Sequence, residues 1–199
     1  IALLVTGPVH YDPFLLTAAA ALSCTDGCTA DVLEFTLAAG SDCVKPGETV
    51  TVELHQRALD QLVRGFQGFA QFDRTAMTNI SSTITPTPYA FEILNLVSGD
   101  NIDLAAGIDD SAFPPQLPTM ADAKLVTLTF TAGATNGPTV VSFRANDPPS
   151  RFPDAGGLEV LPCLIESPTI VIDGTNPVIA CPDNLTIECT ASTLPANTG

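Results

Sequence analysis

The fold of this 199-residue chain is decided by the stretch Val44-Lys-Pro-Gly-Glu-Thr-Val-Thr-Val-Glu-Leu54. Its first part, Lys45-Pro-Gly-Glu48, has the residues of a tight turn. From Thr49 onward, polar and apolar residues alternate with period two, which places every second side chain on the same face of a β-strand. Residues 49–54 are therefore predicted to form a strand with one buried face.

Other short segments of the chain have the same character. They are rich in β-branched and aromatic residues, turn residues separate them, and they cover residues 32–37, 66–72, 89–94, 125–131, 139–143 and 169–172. Helical signals are confined to residues 55–63 and 120–124, each sufficient for a turn or two. Seven or more short strands at this spacing predict an all-β chain folded as an antiparallel β-sandwich.

The charge of the chain limits its partners. It carries 22 acidic and 7 basic residues, for a net charge of −15. Binding to nucleic acid or to an anionic membrane requires clustered Lys and Arg, so neither partner is expected. Residues 14–23 are apolar but too short and too interrupted to span a bilayer, so no membrane insertion is expected. We expect this segment to pack against the main domain or against another subunit.

Six cysteines indicate an oxidising compartment. They are Cys24, Cys28, Cys43, Cys163, Cys181 and Cys189, and their spacing matches no zinc or c-type haem motif. Disulfides are the better interpretation, which favours a secreted or cell-surface protein. The sequence leaves fifteen pairings open, among which we prefer a tight loop between Cys24 and Cys28.

No residue pattern indicates catalysis. The two histidines, His10 and His55, lie in no recognisable motif with a nucleophile. Acidic residues are so abundant that pairs of them occur by number alone, and those on predicted strands are expected to face solvent. The chain is therefore predicted not to be an enzyme.

One acidic region is a candidate metal site. It contains Asp100, Asn101, Asp103, Asp109 and Asp110, which we predict to lie within one loop region. Calcium binds six to eight oxygen ligands of this kind, so it is the one cofactor that the sequence proposes. The alternative, which we favour, is a solvated acidic loop without an ion.

Three blocks of sequence together resemble cohesin-like domains. They are the stretch from Val44 to Leu54, then Gly65-Phe-Gln-Gly-Phe-Ala-Gln-Phe-Asp-Arg-Thr-Ala-Met77, then Ala123-Lys-Leu-Val-Thr-Leu-Thr-Phe-Thr131. The resemblance implies a nine-stranded jelly-roll sandwich whose first and last strands are adjacent, and hence a Cys43–Cys163 disulfide. It also implies recognition of a dockerin-type protein, or of a glycan, or a role in adhesion or scaffolding. The chain contains no dockerin calcium loop of its own.

The C-terminal region resembles a hyalin repeat, an immunoglobulin-like extracellular module. The residues that carry this resemblance are Asn176-Pro-Val-Ile, Cys181-Pro, Leu185-Thr-Ile-Glu-Cys189 and Leu194-Pro-Ala-Asn-Thr-Gly199. The resemblance implies that Cys181 and Cys189 pair with cysteines later in such a module.

These patterns divide the chain into three parts. Residues 1–30 are predicted to be an apolar extension, residues 31–174 the sandwich, and residues 175–199 a linker with the first strands of a partial immunoglobulin-like module. We expect the two ends to pair with copies of the chain or with adjacent modules by strand addition. The residues predicted to do so are Ile1, Leu3, Val5, Val178, Ile179, Leu185 and Ile187.

Two classes of function remain. The one that we favour slightly is a non-catalytic structural or adhesion module of an extracellular assembly or filament. The alternative is a recognition module that binds a dockerin-type protein or a carbohydrate within a larger surface protein.

Overall fold

The computed structural model describes residues 28–145 and 148–175, and within these ranges every regular element is a β-strand. The strands are β1 (Val32–Leu37), β2 (Cys43–Val44), β3 (Thr49–Arg57), β4 (Gly65–Phe72), β5 (Met77–Ile84), β6 (Phe91–Ser98), β7 (Asn101–Gly107), β8 (Ala123–Ala132), β9 (Gly137–Thr139), β10 (Val141–Phe143), β11 (Phe152–Pro153), β12 (Glu159–Val160), β13 (Cys163–Ile165) and β14 (Ile170–Ile172). This part of the chain contains no helix that could cross a membrane.

Two main sheets form the sandwich. One has five strands in the order β13-β1-β3-β8-β5, and the other has four in the order β10-β4-β7-β6. Apart from the parallel pair of β1 and β13, the neighbours in both sheets are antiparallel. The predicted β-sandwich is confirmed, and its two main sheets contain nine strands, although no strand was predicted at β5, β7 or β13.

The core lies between these sheets because alternate residues of each strand point inward. In β3, for example, Val50, Val52 and Leu54 have no exposed surface, while the residues between them are half-buried. Aromatic rings fill the space between the layers: Phe35 stacks on Phe143, and Phe72 packs against Phe130. Burial of this apolar surface is the main favourable contribution to folding.

The expected adjacency of early and late strands is present in two places. β1 pairs in parallel with β13, and β2 pairs in parallel with β14 in a small sheet of order β2-β14-β9. A two-stranded hairpin of β11 and β12 completes the described strands.

The disulfide differs from both predicted pairings. Cys28 is bonded to Cys163, with a Cα–Cα distance of 5.6 Å, so neither the Cys24–Cys28 loop nor the Cys43–Cys163 bond is formed. The reason is register: Cys163 lies opposite Val32, at the start of β1, whereas Cys43 lies beyond the far end of β1 opposite Val171. Cys43 is exposed and bonded to no other described cysteine.

Several element predictions require correction. Residues 55–57 extend β3, and residues 123–124 begin β8, so neither predicted helical turn forms there. The predicted strand at residues 89–94 begins only at Phe91. Residues 139–143 supply two short strands, β9 and β10, in different sheets.

Both ends of the chain lie outside the described residues. The N-terminal end comprises residues 1–27 of the apolar extension, with Cys24. The C-terminal end comprises the region resembling a hyalin repeat, with Cys181 and Cys189. All seven residues predicted for assembly lie in these two ends. The proposed domain boundaries and the role of these residues stay predictions.

Candidate recognition surface

The outer face of the four-stranded sheet is the candidate functional surface, which we call the recognition face. It is formed by the side chains of β10, β4, β7 and β6 that point away from the core. In β4, Phe66, Ala70 and Phe72 belong to the core, whereas Gln67, Phe69 and Gln71 point outward. In β7, Ile102, Leu104 and Ala106 point inward, which leaves Asn101, Asp103 and Ala105 on the recognition face.

The centre of the recognition face is an arginine held between an aromatic ring and a carboxylate. The Arg144 guanidinium lies 5.3 Å from the centroid of the Phe69 ring and forms an ion pair with Asp103. Phe69 and Asp103 lie opposite each other on β4 and β7, so the pairing of these strands creates the arrangement. Cation–π contact and a charge-assisted hydrogen bond both fix the Arg144 side chain.

An apolar stripe runs along β6 beside this centre, formed by Phe91, Ile93, Leu94 and Leu96. Phe91, Ile93 and Leu96 are 58%, 60% and 49% exposed, which is unusual for large apolar side chains on one strand. A register irregularity between Glu92 and Leu94 accompanies this exposure of Ile93.

The sheet surface beside the stripe is recessed relative to the side chains of β6, because the neighbouring residues of β7 are small. Phe91 and Leu94 lie opposite Gly107 and Ala105, respectively. A groove of about 240 Å³ opens there between Phe91, Ile93 and Gly107 on one side and Pro153 and Gly157 on the other. The groove lining also includes the Arg64–Asp110 ion pair and Asp154, so the stripe and groove together form an apolar surface next to charged groups, suited to a complementary ridge.

β4 has two successive partners along one edge. β10 pairs with residues 70–72 of β4, and Arg144 N donates to Phe69 O at 2.9 Å. Further along, Arg151 and Gln67 exchange two backbone hydrogen bonds of 2.8 and 2.9 Å. Arg144 and Arg151, the two described residues that bond to β4 in this way, therefore lie at the edge of the recognition face, where Arg151 forms an ion pair with Glu159.

The outer face of the five-stranded sheet has a different character. Glu53 contacts Lys124 at 2.9 Å and His55 at 3.2 Å, and threonines occupy neighbouring outward positions of β8. The hydrogen bond from Lys124 is the largest cause that holds the pKa of Glu53 below its ordinary value of 4.5. This face is polar and carries no apolar stripe among the described strands.

The five predicted calcium ligands do not lie in one loop. β7 separates Asp100 from Asp109, and a strand of seven residues is about 23 Å long. Three of the carboxylates pair with different arginines: Asp100 with Arg74, Asp103 with Arg144, and Asp110 with Arg64. Asp109 instead accepts hydrogen bonds from Ser111, which lower its pKa.

The described residues bring together no metal-binding cluster. No three His, Cys, Asp or Glu side chains within them come together to hold a metal ion. His55 contacts Glu53 without a nucleophile, and His10 lies outside the described ranges. The recognition face itself offers apolar contact and a fixed arginine, both of which suit a binding surface.

Solved structures with the same architecture are cohesin modules. The sixth cohesin of scaffoldin B from Acetivibrio cellulolyticus, in complex with a Cel5 dockerin mutant, matches with a TM-score of 0.54 at 14% identity, covering 71% of this chain and 99% of that one. The fold is cohesin-like. A cohesin–dockerin complex of Clostridium thermocellum gives a TM-score of 0.53 at 15% identity, covering 72% of this chain and 100% of that one.

A third cohesin module is part of a family 33 glycoside hydrolase of Clostridium perfringens, with a TM-score of 0.51 at 17% identity, covering 72% of this chain and 98% of that one. At such identities the likeness establishes the fold and no more. No family model matches the sequence. No curated protein matches it either.

Sequence reasoning did not single out the recognition face, although it predicted strands at residues 66–72 and 89–94 and named Asp103 as a candidate calcium ligand. Phe91, Ile93 and Leu96 form no single alternating series, because the irregularity in β6 interrupts the period. Arg144 lies outside every predicted strand. The sequence does contain a signal for β7: in residues 101–104, polar Asn and Asp alternate with apolar Ile and Leu, as in a half-buried strand.

Proposed function

We propose that this chain is a non-catalytic recognition module that binds a dockerin-type protein through its recognition face. The observation that carries the proposal is the exposed apolar stripe of β6, which lies beside a fixed arginine on one sheet of a cohesin-like fold. Structures with this fold include cohesins in complex with dockerins, which supports the choice of partner.

A protein partner fits this surface better than a carbohydrate. Sugar rings are bound by exposed aromatic rings with polar groups around them. On the recognition face, Phe69 is covered by Arg144 and Phe91 is the exposed aromatic, while Ile93, Leu94 and Leu96 supply aliphatic surface. Aliphatic side chains around a groove suit the apolar side of a helix.

We place this recognition outside the cell, as a proposal supported by the Cys28–Cys163 disulfide. The cohesin-like fold favours recognition over the structural interpretation that the sequence slightly favoured. Self-association through residues 1–5 and 178–187 stays a prediction, since those residues lie outside the described ranges.

Binding to a panel of dockerin modules, measured by calorimetry with calcium present, tests the proposal. For a dockerin that binds, Ile93→Asp and Leu96→Asp should each weaken binding about tenfold or more, because a carboxylate would be desolvated in an apolar contact. Val171→Asp is the matched control, since Val171 is also an exposed apolar strand residue but lies on β14, outside the recognition face.

Two results would count against the proposal. One is the absence of binding by every dockerin in the panel. The other is binding that Ile93→Asp and Leu96→Asp leave unchanged. Saturable binding to a glycan array, abolished by Phe91→Ala, would replace the protein partner with a carbohydrate.

A further inference from the structure

Residues 163–173, which we call the strap, run along one side of the sandwich beside the start of the described chain. Cys163 lies opposite Val32, and later Val171 lies opposite Cys43, with both pairs of strands parallel. The strap therefore follows β1 and β2 in the same direction. It is fastened at its far end by Asp173 N, which donates to Val44 O at 2.9 Å.

The Cys28–Cys163 disulfide joins the beginning of the strap to the beginning of the described chain. The two cysteines are 135 residues apart in sequence, and every strand of the recognition face lies between them. The shortest path of covalent bonds from Cys28 to Thr175 thus runs through the two sulfur atoms to Cys163 and then along the strap. Residues 29–162 form a closed loop that is attached to this path at both ends but is not part of it.

From this path we infer that the disulfide and the strap carry tension past the sandwich, so that pulling on the two ends of the chain does not stretch the recognition face. In a chain without the bond, the same tension would pass through β1 and then through every following strand. With the bond, the force follows the sulfur–sulfur link, and the strands of the recognition face stay inside a closed loop.

The gain in chain length on stretching differs greatly between the chain with the disulfide and the chain without it. Opening a loop of 135 residues would lengthen the chain by up to about 490 Å, at ~3.6 Å per fully extended residue. Release of residues 164–175 alone could add no more than about 40 Å on the same scale. The actual gain should be smaller, because β13 and β14 are already extended at ~3.3 Å per residue.

Single-molecule stretching of the full 199-residue chain, with handles at residues 1 and 199, tests the inference. The oxidised protein should lengthen by less than about 40 Å beyond the extension of its terminal segments. The Cys28→Ser/Cys163→Ser variant should show an added gain of up to about 490 Å, more than tenfold larger. The terminal segments contribute equally to both traces.

Two controls complete the experiment. Cys43→Ser should reproduce the oxidised trace, since Cys43 takes no part in the described disulfide. If the double variant does not fold, the wild-type chain is folded first and then stretched with dithiothreitol present, where the long gain should appear. An oxidised chain that itself lengthens by several hundred ångströms, or a reduced folded chain that does not, would overturn the inference.

Discussion

At the scale of single residues, Phe69 shows how the recognition face is organised. The residue points away from the core, yet it is only 7% exposed because Arg144 lies across its ring. Arg144 is fixed in turn by Asp103 on the neighbouring strand. A cation held in this way loses little conformational freedom when a partner binds, which favours specific recognition.

Glu53 should titrate at a lower pH than an ordinary glutamate. Because its pKa in the folded state lies below the ordinary 4.5, its contribution to stability is present above that pH and is lost as the pH falls through the folded-state pKa. Lys124→Met should raise the pKa of Glu53, since the Lys124 hydrogen bond is the largest cause of the shift. A side-chain carbon NMR titration measures both values.

The control for this titration is Arg57→Met. Arg57 pairs with Glu34 on β1, so its loss should leave the titration of Glu53 unchanged. A Glu53 midpoint that is the same in wild type and in Lys124→Met would contradict the assigned cause.

At the scale of elements, one glycine, Gly65, allows β4 and β7 to approach closely. Gly65 and Gly107 lie directly opposite each other in the register of these strands. A Cβ atom at Gly65 would collide with the backbone oxygen of Ala106, whereas one at Gly107 would meet Arg64 O at 3.5 Å and Ile93 Cδ1 at 3.6 Å. The first contact is a steric clash and the second is ordinary packing.

Gly65→Ala should therefore lower the free energy of unfolding by about 2 kcal/mol or more, because backbone atoms must move to accept the methyl group. Gly107→Ala, on the facing strand, is the matched control and should change it by less than about 1 kcal/mol. Urea unfolding followed by circular dichroism measures both. Equal effects of the two substitutions would show that the clash is not the cause.

The same strands show how far sequence could predict the fold. A composition rich in β-branched and aromatic residues located β1, β3, β4 and β8, and alternation with period two supported several of them, because these have a face in the core and a face toward solvent. The sequence predicts an acidic loop where β7 lies, since its outward residues Asn101 and Asp103 look like solvated side chains or candidate calcium ligands when their strand is not recognised. β5 was missed, since its run of Ser and Thr has little apolar contrast and a register shift between Thr78 and Ser81 interrupts its pairing. The recognition face depends on pairing between distant segments, which a local pattern does not contain.

At the scale of the whole molecule, the disulfide ties together strands that are distant in sequence. Cys28 and Cys163 join the start of β1 to the start of β13, at one edge of the five-stranded sheet. The sequence predicted disulfides but not this pair, because connectivity follows from the packing of strands and not from cysteine spacing.

Loss of this bond should destabilise the folded chain considerably. For a separation of 135 residues, the chain-entropy estimate is about 5 kcal/mol. We expect Cys28→Ser/Cys163→Ser to lower the free energy of unfolding by an amount of this order, measured by guanidinium unfolding against the oxidised wild type. Cys43→Ser should have an effect below about 0.5 kcal/mol. A double variant as stable as wild type would mean that the bond does not constrain the unfolded chain.

The two successive partners of β4 have a consequence for divergence among proteins of this fold. β10 and the Arg151 bridge hold β4 by backbone hydrogen bonds, which almost any sequence can make. Arg144 and Ser150 also contact Phe69 of β4 through their side chains, so it is the positions between these two residues that can gain, lose or exchange residues while β4 keeps its place in the sheet. Because the Arg144 side chain lies on the recognition face, paralogues could acquire new partners by changing a few residues next to it, without having to evolve a new core.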